Sequence, residues 1–289
     1  MAKLVWDQVS EHLYETGDDH AVVYPYNSTN KAYDSGVAWN GITGITESPS
    51  GADETALYAD NIKYLSLRAA EEFGMTVTAY TYPDEFAVLD GSAFAEDLPG
   101  VRIYQQARKT FGMSYRTIIG NDTDANDYGY KLHLVYGLTA SPSERGYSTV
   151  NDSPEAIEFS WEMTGVPVAI TGYKNSCLIT IDSTAFKTSQ QKGYLKDLED
   201  ILYGTDGGEV SYNPVTPEAG DNPSTKGWYE RTGTGTTEDP YVYTASSDVS
   251  VDNEKTYYEK VTSVGTDPRL PLPDEVFSIL KGVSNNVGG

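Results

Sequence analysis

ETALYADNIKYLSLRAAEEFGMTVTAYTYPDEF, residues 54–86, decides the fold class. Ile62, Tyr64 and Ser66 alternate with Lys63, Leu65 and Leu67, and Val77, Ala79 and Thr81 alternate with Thr78, Tyr80 and Tyr82. That is the two-residue period of strands with two different faces. Tyr82-Pro83 then ends the pairing, because proline brings no backbone donor to a ladder. No reactive constellation interrupts the stretch, which therefore reads as a structural part built for neighbouring strands.

The same pattern extends outward. Turn clusters at Glu15-Thr16-Gly17-Asp18-Asp19, Asp34-Ser35-Gly36, Ser48-Pro49-Ser50-Gly51 and Ser141-Pro142-Ser143 separate short strands over roughly the first 180 residues, the spacing of a sandwich or barrel. Over residues 155–163, Ile157, Phe159, Trp161 and Met163 form an apolar row, while Glu158, Ser160 and Glu162 form a wet, acidic one. Tyr130, Leu132, Leu134, Tyr136 and Leu138 make a second apolar row, opposite Lys131, His133 and Thr139. Two helices interrupt this β background. Over residues 190–203, Tyr194, Leu195, Leu198, Ile201 and Leu202 recur at helical spacing, Thr188 and Gln191 fit a capping box, and Gly204 is the stop. This helix is expected on the outside of the sheet. The second starts at Pro273-Asp274-Glu275 and ends at Lys281-Gly282, with Val276, Ile279 and Leu280 on one side.

Length and composition set the bounds. The 289 residues, 38% hydrophobic and 22% charged, suit one large β domain or a domain with a satellite. A net charge of −23 excludes a surface that grips phosphate backbones, since such binding draws on Lys and Arg displacing counterions. An anionic membrane is excluded on the same ground. The single cysteine, Cys177, permits no intrachain disulfide and reads as a small buried apolar residue. The N-terminal residues carry acids early and have no long apolar run, so neither a signal peptide nor a membrane span is expected there, and synthesis in a cytoplasm follows.

Candidate chemistry is thin. His12 and His20 are expected on two arms of one hairpin around Gly17, His133 on the polar side of a strand, and none accompanies a nucleophile motif. Asp122, Asp124 and Asn126 have the alternating spacing of a calcium loop, but Asp127 replaces its turn glycine and His133 its closing glutamate, so a polar turn is expected and these acids are only weak metal candidates. Asp18, Asp19 and His20 lack further zinc ligands. Among 43 acids, glycosidase-like pairs arise by chance, and only a cleft that separates two carboxyl pKa values would distinguish one. Tyr24, Tyr26, Trp39, Tyr80, Tyr82 and Tyr115 could stack sugars, although cross-strand packing explains them as well. No enzyme activity and no cofactor are expected.

Residues 207–265 differ in character. A weak repeat, KGWYERTG from Lys226 and KTYYEKVT from Lys255, flanks VYTASSDVSV, which reads as a small two- or three-stranded Tyr-rich β module. NPVTPEAGDNPSTKG from Asn213 reads as its linker. Such a unit is marginal alone and needs Trp228, Tyr229, Tyr241, Tyr243, Tyr257 and Tyr258 to pack on each other or on the body.

Eight collinear segments carry a family resemblance: residues 12–27 (HLYETGDDHAVVYPYN), 37–51 (VAWNGITGITESPSG), 54–86, 109–122 (KTFGMSYRTIIGND), 128–137 (YGYKLHLVYG), 151–162 (NDSPEAIEFSWE), 198–206 (LEDILYGTD) and 267–280 (DPRLPLPDEVFSIL). In this order they resemble the major tail proteins, or tail tube proteins, of long-tailed bacteriophages of the siphovirus type, which infect mainly Gram-positive bacteria. The resemblance implies a mainly β, tail-tube-type sandwich or barrel with one flanking amphipathic helix over residues 1–206 and 266–289. Residues 207–265 are then an inserted β module on the tube exterior. It further implies homo-hexameric rings stacked into a tube within the virion tail and assembled in the host bacterial cytoplasm. The implied partners are a tape measure protein, a tail terminator and distal tail or baseplate proteins, while viral DNA passes through without specific binding. Glu54, Asp60, Glu158 and Glu162 are the acidic lumen candidates, and residues 34–55 and 1–9 the candidate inter-ring contacts. Two other classes fit the acidic, Tyr-rich composition: a surface carbohydrate-binding or adhesion module, and an acidic β-fold hydrolase with a deep cleft.

Overall fold

A computed structural model describes residues 4–283, apart from Ala52, Asp97, Pro99, Glu144, Ser148, residues 150–155, Glu209, Ala219 and residues 237–238. The start of the strand expected over 155–163, and Met1, Ala2 and Lys3 of the N-terminal arm, lie outside the described residues. The chain divides into two compact units, Met1–Gly204 with Asp267–Gly289, and Thr205–Thr266.

The first unit is mainly antiparallel β. Its strands are β1 (Tyr14–Asn27), β2 (Ala32–Tyr33), β3 (Val37–Ala38), β4 (Ile42–Glu47), β5 (Ser50–Gly51), β6 (Glu54–Ala59), β7 (Ile62–Arg68), β8 (Glu71–Ala79), β9 (Ser92–Phe94), β10 (Arg102–Tyr104), β11 (Phe111–Asn121), β12 (Ala125–Ala140), β13 (Phe159–Gly165) and β14 (Leu178–Asp182), and its helices are α1 (Asp84–Leu89), α2 (Ser189–Tyr203) and α3 (Pro273–Leu280). The main sheet runs β2-β1-β11-β12-β13-β8-β4, with β14 also paired to β12.

Bulges on β1 and β12 shape this sheet. Opposite β11, β1 shifts register between Thr16 and Asp18 and again between Asp19 and Val22, where Gly17 (φ 62°) and His20 (φ 51°) take left-handed backbone. The Gly17 cluster expected as a hairpin turn is therefore a bulge inside one continuous strand, and His12 and His20 do not face each other across a hairpin. A positive-φ glycine serves either role, and the partner strand continuing past both sides decides for the bulge. On β12 the second device is Gly137 (φ 65°). Before it, residues 131–135 pair with β14; after it, residues 138–140 pair with β13.

The extra residue also exchanges faces. Leu132, Leu134 and Tyr136 join one core with Val22, Tyr24, Ile181 and the two longer helices. Leu138, expected in the same row, joins the other core with Val135, Val23, Met113, Met75, Val77, Trp161 and Met163. Since β8 and β13 contribute to the same core as β1 and β11, the sheet folds over itself beyond Gly137 into the two layers of a sandwich. Within β13, Trp161 and Met163 are buried while Ser160 and Glu162 are exposed, following the period read from the sequence.

On the opposite face lie the helices. The α2 capping box is complete, with Gln191 N donating to Thr188 Oγ1 (3.2 Å) and Thr188 N to Gln191 Oε1 (3.1 Å). Leu195, Leu198 and Leu202 are buried against the sheet, each burial contributing about 2 kcal/mol. Pro273 opens α3, whose Val276 is fully buried in the same core. Short α1 has no counterpart in the sequence reading: Pro83 is not only a strand stop but the residue preceding a helix with Asp84 and Glu85 in its first turn. Six residues are too few for helical periodicity to show. Cys177 is buried.

In the second unit, β15 (Val210–Val215), β16 (Tyr229–Thr232), β17 (Val242–Ala245) and β18 (Tyr257–Thr262) pair in the order β15-β18-β16-β17. The two halves of the internal repeat become neighbours, Tyr229 lying opposite Tyr258. Four strands replace the two or three expected, because Asn213 and Pro214 belong to β15 rather than to a linker. Proline is tolerated there because β15 is an edge strand. Tyr212 stacks on Tyr243 with centroids 3.9 Å apart, and Tyr257 donates to Asp248 Oδ2 (2.7 Å). Thr205 and Thr266 exchange backbone hydrogen bonds of 3.0 and 3.1 Å and bring the two ends of the unit together.

Candidate assembly surfaces

One face of the β4-β8-β13 layer packs inward, and the other carries short polar side chains in register. Thr46, Thr76 and Glu162 form one cross-strand row, and Gly44, Thr78 and Ser160 the next. Glu158 stands just before β13, where its carboxylate accepts from the Thr43 hydroxyl, which also hydrogen-bonds Thr78 Oγ1 at 2.8 Å. These three strands contain no Lys or Arg. The face can repel phosphate and offers no cation to hold it.

The β6–β7 hairpin is the counterpart. It forms its own two-stranded sheet, and no residue of either strand is fully buried. Its turn is Asp60-Asn61 with both φ values positive (51° and 61°), the geometry of a tight primed turn. Tyr58, Ile62, Tyr64 and Leu67 are 72%, 64%, 70% and 56% exposed. A bare two-stranded hairpin is marginal in water, and covering these side chains would contribute on the order of 10 kcal/mol before association terms. Among the lumen candidates, Glu158 and Glu162 therefore share the polar face, while Glu54 and Asp60 sit on the hairpin. Glu54 is bound there by Lys63 Nζ at 2.7 Å, and this hydrogen bond holds its carboxyl below the usual carboxylate range.

Polar clusters elsewhere are structural. Asp122 Oδ2 accepts from Ser10 N (3.2 Å) and lies 3.2 Å from His12 Nδ1, and Asp124 accepts from Asn121 Nδ2 (3.1 Å). These bonds tie the N-terminal arm to the β11–β12 turn and aim the two carboxylates at different partners. Among the described residues, no group of three or more His, Cys, Asp or Glu is placed to hold a metal. Asp19 takes Arg116 bidentately (2.8 and 3.1 Å), with His20 Nδ1 3.0 Å away.

His133 lies opposite Leu132 and Leu134 and is hydrogen-bonded, as the sequence leads one to expect, but it is not exposed. It is buried, stacked on Tyr115 at 4.6 Å and 4°, with Nε2 3.1 Å from Thr117 Oγ1 and Nδ1 3.3 Å from Glu47 Oε1. Burial pushes its pKa below 6.5, with the Glu47 carboxylate opposing. Hydroxyl, imidazole and carboxylate thus line up across three strands with the reach of a catalytic triad, which sequence separation had hidden. A triad also needs a cleft at the hydroxyl. Among the described residues, four grooves of about 790, 460, 340 and 240 Å³ are lined by none of the three residues. Raised carboxyl pKa values occur at Asp18 and Asp90, both chiefly through burial, and neither residue lines those grooves.

No family model matches the sequence, and no curated protein matches it. Solved structures do. One similar chain comes from the cryo-EM structure of an extracellular contractile injection system, the PVC sheath-tube complex in its extended state. The likeness has a TM-score of 0.26 and 10% identity, and covers 56% of this chain and 88% of that one.

The aromatics nominated for sugar stacking are mostly core. Tyr24 is fully buried and donates to Leu202 O (2.8 Å), Trp39 packs on Phe86 at 4.2 Å, and Tyr82 meets Phe159 and Trp161. Tyr26 packs edge-on against Tyr33, Tyr115 is buried under His133, and Tyr80 is exposed.

Proposed function

We propose that this chain is a virion structural protein, the tail tube subunit of a long-tailed bacteriophage of the siphovirus type, and not an enzyme. Six copies close into a ring, rings stack into a tube in the virion tail, and viral DNA passes through the lumen. The observation that carries this reading is the β4-β8-β13 face, a registered wall of Thr, Ser and Glu without Lys or Arg. A duplex can slide past such a wall, whereas basic residues would trap it by counterion release. The unburied β6–β7 hairpin supports the same reading, since a sheet left with exposed apolar side chains is stable only when another copy covers it. Tape measure, terminator and distal tail proteins are the expected partners at the tube ends, and assembly takes place in the host cytoplasm.

Negative-stain electron microscopy at rising protein concentration tests the proposal. Rings or hollow stacked tubes with sixfold end views are expected. Dispersed monomers at every concentration and salt would overturn it and favour a binding module, for which a glycan array is the next experiment.

A further inference from the structure

The free β6–β7 hairpin has two unlike sides. Thr55 opposes Leu67 and Leu57 opposes Leu65, so these four side chains share one side. The register then shifts between Leu57 and Tyr58, Tyr64 is the extra residue, and Ala59 opposite Ile62 returns to that same side. The other side holds Glu54, Tyr58, Lys63, Ser66 and Arg68, and there Glu54 takes Lys63 at 2.7 Å and Arg68 at 3.8 Å. The charge of both strands is thus on one side, while Leu57, Ile62, Leu65 and Leu67 stand between 38% and 64% exposed on the other.

A second hairpin has the same design. β9 and β10 form their own two-stranded sheet, in which Ile103 opposes Ala93 and Arg102 opposes Phe94. Its polar side is occupied: Ser92 donates to Ala87 O (2.6 Å), Arg102 lies over Phe94 at 4.7 Å and pairs with Asp84, and Tyr104 meets Arg145 at 5.5 Å. Ala93, Ala95, Val101 and Ile103 make the opposite, wholly apolar side, with Ala95 N donating to Val101 O (2.9 Å). Val101 and Ile103 are 45% and 50% exposed, and Leu98 in the turn is 57% exposed.

We propose that the apolar side of β6–β7 in one copy packs face to face on the apolar side of β9–β10 in a second copy. This contact rests on the self-assembly reading above and names the surface that receives the hairpin. Copies that each carry −23 repel, so surfaces free of charge are where they can meet. Two bare two-stranded sheets that each keep one uncharged side fit by the packing of a sandwich, about 10 Å apart. Because the two surfaces differ, each copy gives one and receives one, which closes a ring or propagates along an axis. Pairing of β6–β7 with a second β6–β7 would instead stop at two copies. The seven partly exposed aliphatic side chains fall short of the ~1,200 Å² that a stable pairwise interface buries, so one such contact is weak and holds only within a closed or repeated assembly.

Thiol crosslinking tests this. One chain carries Leu67→Cys and a second, distinguished by an affinity tag, Val101→Cys; Cys177 is buried, and the unsubstituted chain is the blank. A bis-maleimide spanning about 10 Å is used, because packed sheets stand that far apart and a disulfide reaches only about 6 Å between Cα atoms. Just below the concentration at which scattering begins, the mixed pair should be the main product. Equal yield from the Leu67→Cys chain alone would place hairpin on hairpin, and a crosslink inside a dilute chain carrying both substitutions would place β6–β7 on its own β9–β10; either result overturns the proposal. Without crosslinker, Leu67→Asp and Ile103→Asp should each raise the concentration needed for polymerisation about tenfold or more, and Ser66→Asp, on the charged side of the same hairpin, by less than about threefold. An equal rise for all three would mean that added charge matters and the face does not, which also overturns it. Rings in electron micrographs from chains that give no mixed product would sink this contact and leave the tube reading. A mixed product from chains that never form rings would sink the tube reading and leave the contact.

Discussion

Gly137→Ala tests the device that turns one sheet into two layers. Gly137 has φ 65°, and a Cβ there would lie 3.3 Å from Val166 C, 3.4 Å from Val166 N and closer still to Val166 O. Three costs combine. Left-handed backbone costs an L-residue about 1–2 kcal/mol. The Val166 N donation to Gly137 O, 2.9 Å long, is lost or strained for about 1 kcal/mol. The collision is with backbone of a paired segment, so relief requires moving β13 relative to β12, which overpacking data put at about 1–3 kcal/mol. The expected loss is about 3–6 kcal/mol, enough to unfold many domains of this size. Urea denaturation followed by tryptophan fluorescence in a Trp6→Phe/Trp228→Phe background reports on the buried Trp39 and Trp161 of the first unit. Gly193→Ala is the matched control: the glycine is inside α2 with nothing within 4 Å of its Cβ position, and alanine should stabilise by about 1 kcal/mol. A Gly137→Ala loss below about 1 kcal/mol would refute the claim that the change of pairing depends on a left-handed residue.

His133 makes stability pH-dependent in a stated direction. Its folded pKa lies below the 6.5 at which the unfolded chain takes up the proton, so its contribution is fully present above that value and is lost as pH falls through it. The unfolding free energy from urea curves should fall as pH drops below about 6.5, by no more than about 1.4 kcal/mol per pH unit for one proton, and His133→Gln should remove that component. An unchanged profile would show that Glu47 compensates the buried charge. Replacing residues 207–265 by a short Gly-Ser bridge should leave the first unit folded and competent to polymerise, since Thr205 and Thr266 already lie side by side and the loop they close adds little entropy cost. Loss of polymerisation in electron micrographs would assign the inserted unit to the assembly contact.

What the sequence disclosed depended on whether the signal was local. The α2 capping box, the Trp161 and Met163 row and the α3 start each lie within one turn or one strand and are visible in a short window. The bulges at Gly17 and Gly137 escaped because a glycine records the need for positive φ without recording which strand runs opposite. Leu138 consequently fell on the wrong face by one residue. Asn213-Pro214 reads as linker by composition, and only the vacant edge of β15 makes it a strand. Lumen candidates were chosen as acidic strand faces, so the hairpin acids Glu54 and Asp60 could not be separated from Glu158 and Glu162 without knowing which strands lie on a buried layer.

Salt separates the two forces that the proposed assembly sets against each other. Every copy carries −23, and copies that approach repel over the Debye length, about 30 Å at 10 mM salt and 8 Å at 150 mM. The hairpin contact gains nothing from low salt because its exposed surface is largely apolar. Long-range repulsion counts all the charges, so it should dominate at low ionic strength. Polymerisation followed by light scattering should therefore rise steeply from about 10 to 150 mM sodium chloride and then level off. Scattering that falls steadily from the lowest salt would mean that opposite charges, not buried apolar surface, drive the copies together. That outcome would remove the hairpin from the interface.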